Sequence, residues 1–429
     1  MKYMIMREQR TNNQQMIKEE NIKQLFCLVA EKPGTTRAQL VRITSLSPTT
    51  VSSLVDELVQ RELVLETGPA NTHSAGRKPI TLQINPDGRQ LAVFSLSRWG
   101  VRFWLCNLAL EELDSGYLEH SAERYGGFAE GSQETDPDAG VDYMDFVETM
   151  LTHSPHYDPM RLLAVCISFP GIYLEQEEAF SWSAMHVSIS AASVKQLEER
   201  LAVPVFLGNS SMCRAYAEKN CLDHPRGTVP DLIYFNVCDG LGAGIIADNV
   251  FLTGREHTAG EVGHVSVDYR GKRCVCGQRG CVEQYVNIEA VTERVRQKLE
   301  EQGSSDKINL EDIGKLCDAG DAAVLEIIDD VAAMLFTAIY STVCITGIKR
   351  VVIGGGIEQL GDYFLNKLRA FSADHPHNKL ARGLTISYAQ SGLHGDSQGI
   401  AQFYLDHVFT ITADAEEFLH KEAHHVATA

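Results

Sequence analysis

Four residues that favour the same chemistry fall in one short window, HVSVDYRGKRCVCGQRGC: His264, Cys274, Cys276 and Cys281. One imidazole and three thiolates supply the four donors of a tetrahedral Cys3His site, the usual composition of structural zinc. Cys274 and Cys276 are separated by one residue, which is not the Cys-x-x-Cys spacing of a redox pair, and a disulfide is disfavoured in a cytosolic chain. The expectation is therefore a bound zinc ion. Glu261 stands three residues before His264, and Glu283 stands two residues after Cys281. Their types and spacing leave two roles open: bracing the metal loop, or presenting carboxylates to a ligand.

Such a loop needs a scaffold, and beyond Pro86 the chain reads as alternating strands and helices. RQLAVFSLSRWGVRFWLCNL reads as a hairpin, LLAVCISFPGIYL as a buried strand ending in a Pro-Gly turn, and VPVFLGNSS as a further strand. DLIYFNVCDGLGAGIIADNVFL gives strand, glycine turn and strand; KRVVIGGGI ends a late strand in three glycines before a helix. Helices are expected at Asp142 to Leu151, Ser193 to Arg200, Ile288 to Gln302 and about Ala322 to Thr342. Gly240, Gly242 and Gly244 would let backbone amides approach an anion, though a glycine hairpin turn accounts for them as well. AERYGGFAEGSQETDPDAG reads as an acidic exposed loop, and the tail with His420, His424 and His425 as a solvated helical segment.

The first 85 residues have a different grammar. MIKEENIKQLFCLVA spaces Ile17, Ile22, Leu25, Phe26 and Val29 along one helical face, and Pro33-Gly34 stops it. TTRAQLVRIT supplies a short second helix capped by Thr35 or Thr36, with Ala38, Leu40 and Val41 turned inward. After the turn SLS, a third helix begins with Ser47 as cap and Pro48 at the first helical position, burying Val51, Leu54, Val55 and Leu58. Two strands follow, LVLETG and GRKPITLQIN, joined by a polar loop. Cap, turn, helix and wing in that order predict a winged helix-turn-helix, whose second motif helix enters the major groove. Expected DNA contacts are Arg37, Thr49, Thr50, Ser52 and Ser53, with Arg77 and Lys78 in the wing. A dimerisation module with a solvated loop is the competing interpretation.

Charge divides the chain in the same place. Of the net −19, the first 90 residues contribute +3, from 12 Lys and Arg against 9 Asp and Glu, so the remainder carries −22. At 429 residues, with 44% hydrophobic and 22% charged residues, two or three packed domains are expected and a chain wholly coated in nucleic acid is not. Neither a membrane span nor a signal peptide is legible, which predicts a cytoplasmic protein. Cys27, Cys106, Cys166, Cys213, Cys221, Cys238, Cys317 and Cys344 lie in apolar segments and are expected as reduced core residues.

AGEVGHVSVDYRGKRCVCGQRGCVEQY, extending the metal window on both sides, closely resembles the signature of the ROK family of bacterial repressors and sugar kinases. The resemblance covers Pro86 to about His407, and the preceding winged helix is similar to that of the family's repressors. It implies an α/β fold: residues 1–85 as a winged helix-turn-helix, then residues 86–429 as a two-lobed actin-like ATPase domain with a structural zinc loop, for effector binding and oligomerisation. It also implies that Asn209, Glu261, His264 and Glu283 contact sugar hydroxyls. Carboxylates accept paired hydroxyl hydrogens, while Asn offers donor and acceptor. His264 would serve metal and sugar through its two nitrogens.

Two departures separate this chain from the family's kinases. Their first strand needs an Asp-x-Gly-x-Thr phosphate motif, where this sequence has FSLSRWG; their Asn-Asp pair supplies a general base, where this sequence has Asn209-Ser210. A Ser hydroxyl does not accept that proton near neutral pH. No catalytic residues are therefore expected, and the chain is expected to be no enzyme. The expected function is a repressor of carbohydrate-utilisation genes that acts as a homodimer or homotetramer on operator DNA and senses a sugar or sugar derivative. A sugar kinase with an appended head and a regulator captured by a transport-system protein are the alternatives; ATP turnover and protein pull-down separate them.

Overall fold

The computed structural model describes residues 14–69, 79–97, 100–119, 143–174, 178–182, 187–222, 231–248, 250–254, 258–301, 303, 308–374, 382–392 and 394–408. The acidic segment 122–140, the wing residues Arg77 and Lys78 and the three tail histidines lie outside the described residues.

The amino-terminal region folds as α1 (Gln14–Glu31), β1 (Thr35–Thr36), α2 (Arg37–Thr44), α3 (Pro48–Gln60), β2 (Val64–Pro69) and β3 (Ile80–Ile84). The strands form one antiparallel sheet in the order β1-β3-β2. Thr36 caps α2 in a capping box with Gln39, and the helix stops at Ser45 in the left-handed conformation, φ 59°. Ser47 caps α3 by accepting from the Thr50 amide at 3.0 Å, with Pro48 following. Val51, Leu54, Val55 and Leu58 are buried at i, i+3, i+4 and i+7, meeting Ile22, Leu25, Phe26, Val29 and Leu40 in the small core. Two inward expectations fail. Ile17 is 51% exposed, one turn before the core begins, and Ala38 faces solvent because only Leu40 of the short α2 reaches the interior.

The rest of the chain contains two five-stranded sheets. The first takes β4 (Gln90–Ser97), β5 (Gly100–Asn107), β6 (Glu112–Glu119) and, after α4 (Tyr143–His153), β7 (Leu162–Phe169). β8 (Ile172–Leu174), β9 (Ala179–Trp182) and β10 (Val187–Ser190) form a separate three-stranded sheet before α5 (Ala191–Leu201) and β11 (Val205–Asn209), which completes the first sheet in the order β11-β7-β4-β5-β6. β4 pairs antiparallel with β5 and parallel with β7.

After α6 (Ser210–Cys221) the second sheet starts with β12 (Leu232–Val237), β13 (Leu241–Ala247) and β14 (Val250–Phe251). Next come a 3-10 turn (Val262–His264), α7 (Glu283–Val286), α8 (Ile288–Glu301), α9 (Leu310–Asp318) and α10 (Ala322–Thr346). β15 (Arg350–Gly354), α11 (Gly361–Ala373), β16 (Thr385–Tyr388) and α12 (Gly395–Phe403), extended by a π-turn to Val408, finish the described chain. The order is β14-β13-β12-β15-β16, with β12, β15 and β16 parallel. Ile233, Phe235 and Val237 of β12 join the core beneath α8 to α11, while Leu232 and Tyr234 pack toward Ala215 of α6. Both faces are covered, which is why the strand reads as a continuous apolar run.

By compactness the chain divides into one unit of Met1–Phe169, Ile189–Gly208 and Ile400–Ala429, and another of Pro170–Ser188 and Asn209–Gly399. Of the eight cysteines expected in the core, Cys106, Cys166, Cys213 and Cys317 are buried and Cys27 and Cys238 half-buried, but Cys221 and Cys344 are exposed near helix ends. No cysteine among the described residues is in a disulfide. No helix among them is long and apolar enough to cross a membrane.

Candidate metal centre and ligand site

The metal window folds back on itself as a knuckle. Cys274 receives a chain reversal in which its amide donates to Gln278 O at 2.8 Å and the Gly277 amide donates back to Cys274 O at 3.0 Å. Isolated bridges Ser266 to Cys281 and Arg273 to Arg279 close it. The Glu261–His264 turn lies directly on β13, because Gly260 takes φ +101° and any Cβ there would sit 2.1 Å from Ala243 O.

The donor atoms of His264, Cys274, Cys276 and Cys281 all lie within 4.8 Å of one another. Zn–S bonds of about 2.3 Å place two sulfurs of a tetrahedron about 3.8 Å apart. Cys276 Sγ and Cys281 Sγ are 3.6 Å apart, and Cys274 Sγ is 3.7 Å from His264 Nδ1. The four residues thus form a cluster that could hold a metal ion, with His264 using Nδ1. The Gln278 amide, donating to its sulfur, lowers the pKa of Cys276, which favours the ligating thiolate. Gln284 Nε2 donates to Cys274 Sγ at 3.7 Å, a support that sequence spacing does not reveal because no rule fixes where a thiolate finds its outer donor.

Glu261, His264 and Glu283 are brought together. Glu283 Oε1 is 3.3 Å from His264 Nδ1 and 3.2 Å from Cys274 Sγ, so this oxygen faces the knuckle. Oε2 lies 3.6 Å from the position of a Cβ on Gly240. Glu261 Oε2 is 3.8 Å from His264 Nε2, the nitrogen turned away from the thiolates. The side chain of Glu261 is 41% exposed, yet desolvation by the surrounding protein raises its carboxyl pKa, with His264 opposing and Glu283 adding to the rise.

Asn209 is placed differently from the other three. Its Oδ1 accepts from the Ser211 and Met212 amides at 3.0 and 3.2 Å, capping α6, and its Nδ2 donates to Gly171 O at 2.9 Å. Ser210 is the first residue of α6 and only 8% exposed. Ser211 Oγ accepts from Asn236 Nδ2 at 3.3 Å and lies 2.6 Å from where a Cβ on Gly242 would be; a Cβ on Gly244 would lie 2.4 Å from Ser211 O. Those glycines let β13 approach α6. Farther along α6, Arg214 Nη2 meets Asp396 at 3.1 Å with the carboxylate 4% exposed, and the fully buried Glu218 accepts the Gln390 and Ser391 amides at 2.9 and 3.1 Å.

On the amino-terminal side, Thr49, Ser52 and Ser53 line one groove together with Asp56, Glu57 and Arg61. Thr49 and Ser53 are exposed, Thr50 and Ser52 half-buried.

The ROK family profile matches residues 131–406, well over half of the chain. The chain belongs to the ROK family. Among ROK relatives it is 24% identical over 396 residues to the xylose repressor of Bacillus subtilis (strain 168), covering 92% of this chain and 97% of that one. It is 26% identical over 360 residues to the DNA-binding transcriptional dual regulator NagC of Escherichia coli (strain K12), covering 81% and 83%. Of solved ROK structures, a transcriptional regulator described as a homologue of the E. coli Mlc protein superposes with a TM-score of 0.72 at 24% identity, over 91% of this chain and 97% of that one. A ROK glucokinase from Streptomyces griseus, in complex with glucose and AMPPNP, gives 0.59 at 20% identity, over 73% and 98%. The regulator match spans a larger share of this chain than the kinase match.

Proposed function

We propose that this chain is a DNA-binding transcriptional repressor of carbohydrate-use genes, in which residues 1–85 bind operator DNA and the ROK domain of residues 86–429 senses a sugar rather than phosphorylating it. The observation that carries this reading is the joining, in one chain, of three helices, the second and third capped by Thr36 and Ser47, and a three-stranded sheet to a ROK domain whose Asn209 is spent on capping α6. The Ser210 hydroxyl supplies no general base there. Repressor relatives aligned over more than four-fifths of both chains support the same reading.

Zinc is the ion this donor set fits: three sulfurs and one imidazole at tetrahedral spacing. Bound through Nδ1 of His264, it would fix the tautomer and leave Nε2 facing Glu261, so that Nε2 and the Glu261 and Glu283 carboxylates address sugar hydroxyls. The test is fluorescence anisotropy on a duplex that the full chain itself enriches from a randomised pool, repeated with xylose, glucose and N-acetylglucosamine. One sugar is expected to lower the affinity, because it binds the two arrangements of the protein unequally. Constant affinity across the panel would remove the sugar from this reading, and turnover of ATP with any of the three would replace it with a kinase.

A further inference from the structure

Arg37 opens α2, and both terminal nitrogens of its guanidinium are engaged inside the amino-terminal region. Nη1 donates to Ser52 O at 2.9 Å and Ser52 Oγ at 3.1 Å; Nη2 donates to Asp56 Oδ1 at 2.7 Å and Glu66 Oε1 at 2.9 Å. One side chain from α2 thus grips a full turn of α3 and a residue of β2. A planar guanidinium with donors in a rigid fork fixes direction as well as distance, which an ammonium does not.

The same contacts redistribute roles along α3. With two carboxylates against one guanidinium the cluster is net negative, so it offers no field that attracts a phosphate. Ser52 turns its hydroxyl toward Arg37. Thr50 Oγ1 is 2.8 Å from Ser47 Oγ at the helix cap. Thr49 and Ser53 remain exposed on the acid-free first part of α3, and acidic side chains begin only at Asp56. We infer that Arg37 is a positioning residue that locks α3 to α2 and the β2 strand, so that Thr49 and Ser53 read base edges while Ser52 and Arg37 do not touch DNA. This rests on the DNA-binding reading above and revises two of the contacts expected from sequence.

The experiment uses the full chain and two probes: the duplex it enriches from a randomised pool, and an unselected duplex of equal length. Absence of salt-sensitive, selective binding by the wild-type chain would sink the DNA-binding reading itself; everything below presupposes that binding. Arg37→Gln is expected to lower the ratio of selected to unselected affinity by about tenfold, the scale of a mismatched contact, with the salt slope on either duplex unchanged. A change confined to folding stability lowers both affinities by the same folded fraction and leaves the ratio intact, so the ratio separates positioning from mere stabilisation. Equal losses on both duplexes, with the slope of log K against log salt reduced by about 0.9, would identify Arg37 as a phosphate contact and overturn the inference. No change at all would overturn it too.

Glu66→Gln covers the case in which Arg37→Gln does not fold. Releasing one tether is expected to reduce selectivity without steepening the salt slope, whereas a released phosphate-binding arginine would steepen it. Thr49→Ala and Ser53→Ala are expected to reduce selectivity and Ser52→Ala to leave it within about twofold; the reverse order would assign the reading face to Ser52 and refute the arrangement.

Discussion

The two five-stranded sheets have one plan: a hairpin, a third antiparallel strand and two further strands on the other side, in the orders β6-β5-β4-β7-β11 and β14-β13-β12-β15-β16. Their hairpin turns differ. One, between β4 and β5, falls in SLSRWG, and the other, between β12 and β13, in CDGLGAG. Judged by glycines alone, the β12–β13 turn resembles a preserved phosphate loop and the β4–β5 turn a ruined one. The structure gives these glycines a packing role: Gly242 and Gly244 stand where α6 presses its Ser211 turn onto β13, and neither position has room for a Cβ. Packing against α6 is sufficient reason for glycine at both positions, with or without a phosphate nearby.

That contrast can be broken or sharpened by substitution. The largest effect belongs to the His264–Cys281 knuckle: with zinc in the site proposed there, Cys276→Ser or a strong chelator is expected to remove it and with it stabilisation on the order of 10 kcal/mol of metal-binding free energy, read as lost zinc stoichiometry and an early melting step. Next comes Asp396→Asn, which removes the buried carboxylate that faces Arg214 of α6; a loss of roughly 3–5 kcal/mol is expected in urea unfolding. Gly244→Ala tests the comparison directly. A Cβ against Ser211 O should cost about 1–3 kcal/mol, whereas Gly240→Ala, whose Cβ meets only Glu283 Oε2 at 3.6 Å, should stay within about 0.5 kcal/mol. Equal tolerance at both positions would show that packing does not hold the β12–β13 turn. Smallest is Ser47→Ala at the cap of α3, expected to cost about 1 kcal/mol in thermal melting.

Legibility in the sequence followed the kind of physics involved. Caps, prolines and periodic apolar faces are local rules, and they placed α3 at its own Ser47-Pro48 signal and the hairpin β4–β5 in its continuous apolar run. The metal cluster was readable because thiolates and imidazole at close spacing have few other uses. Strand β6, ELDSGYLE, was missed: it lies at the sheet edge, largely solvent-facing, without an apolar signature. Helix α6 escaped for the opposite reason, since SSMCRAYAEKNC buries small and polar residues that carry no helical stripe. For Arg37, sequence reveals the charge but not the two carboxylates, 19 and 29 residues away, that accept its hydrogen bonds.

The Asn209 cap has a consequence for any molecule that docks beside it. Both lone pairs of Oδ1 are taken by the amides of Ser211 and Met212, and one Nδ2 hydrogen by Gly171 O. A guest that reaches this amide without unseating the helix meets only the second Nδ2 hydrogen, a donor. Recognition at that corner is therefore one-directional: it welcomes a lone pair, from a ring oxygen, a carbonyl or a suitably turned hydroxyl. A guest that instead presents a hydrogen to Oδ1 can bind only by loosening the first turn of α6, which would make the helix's own fraying a measure of the misfit.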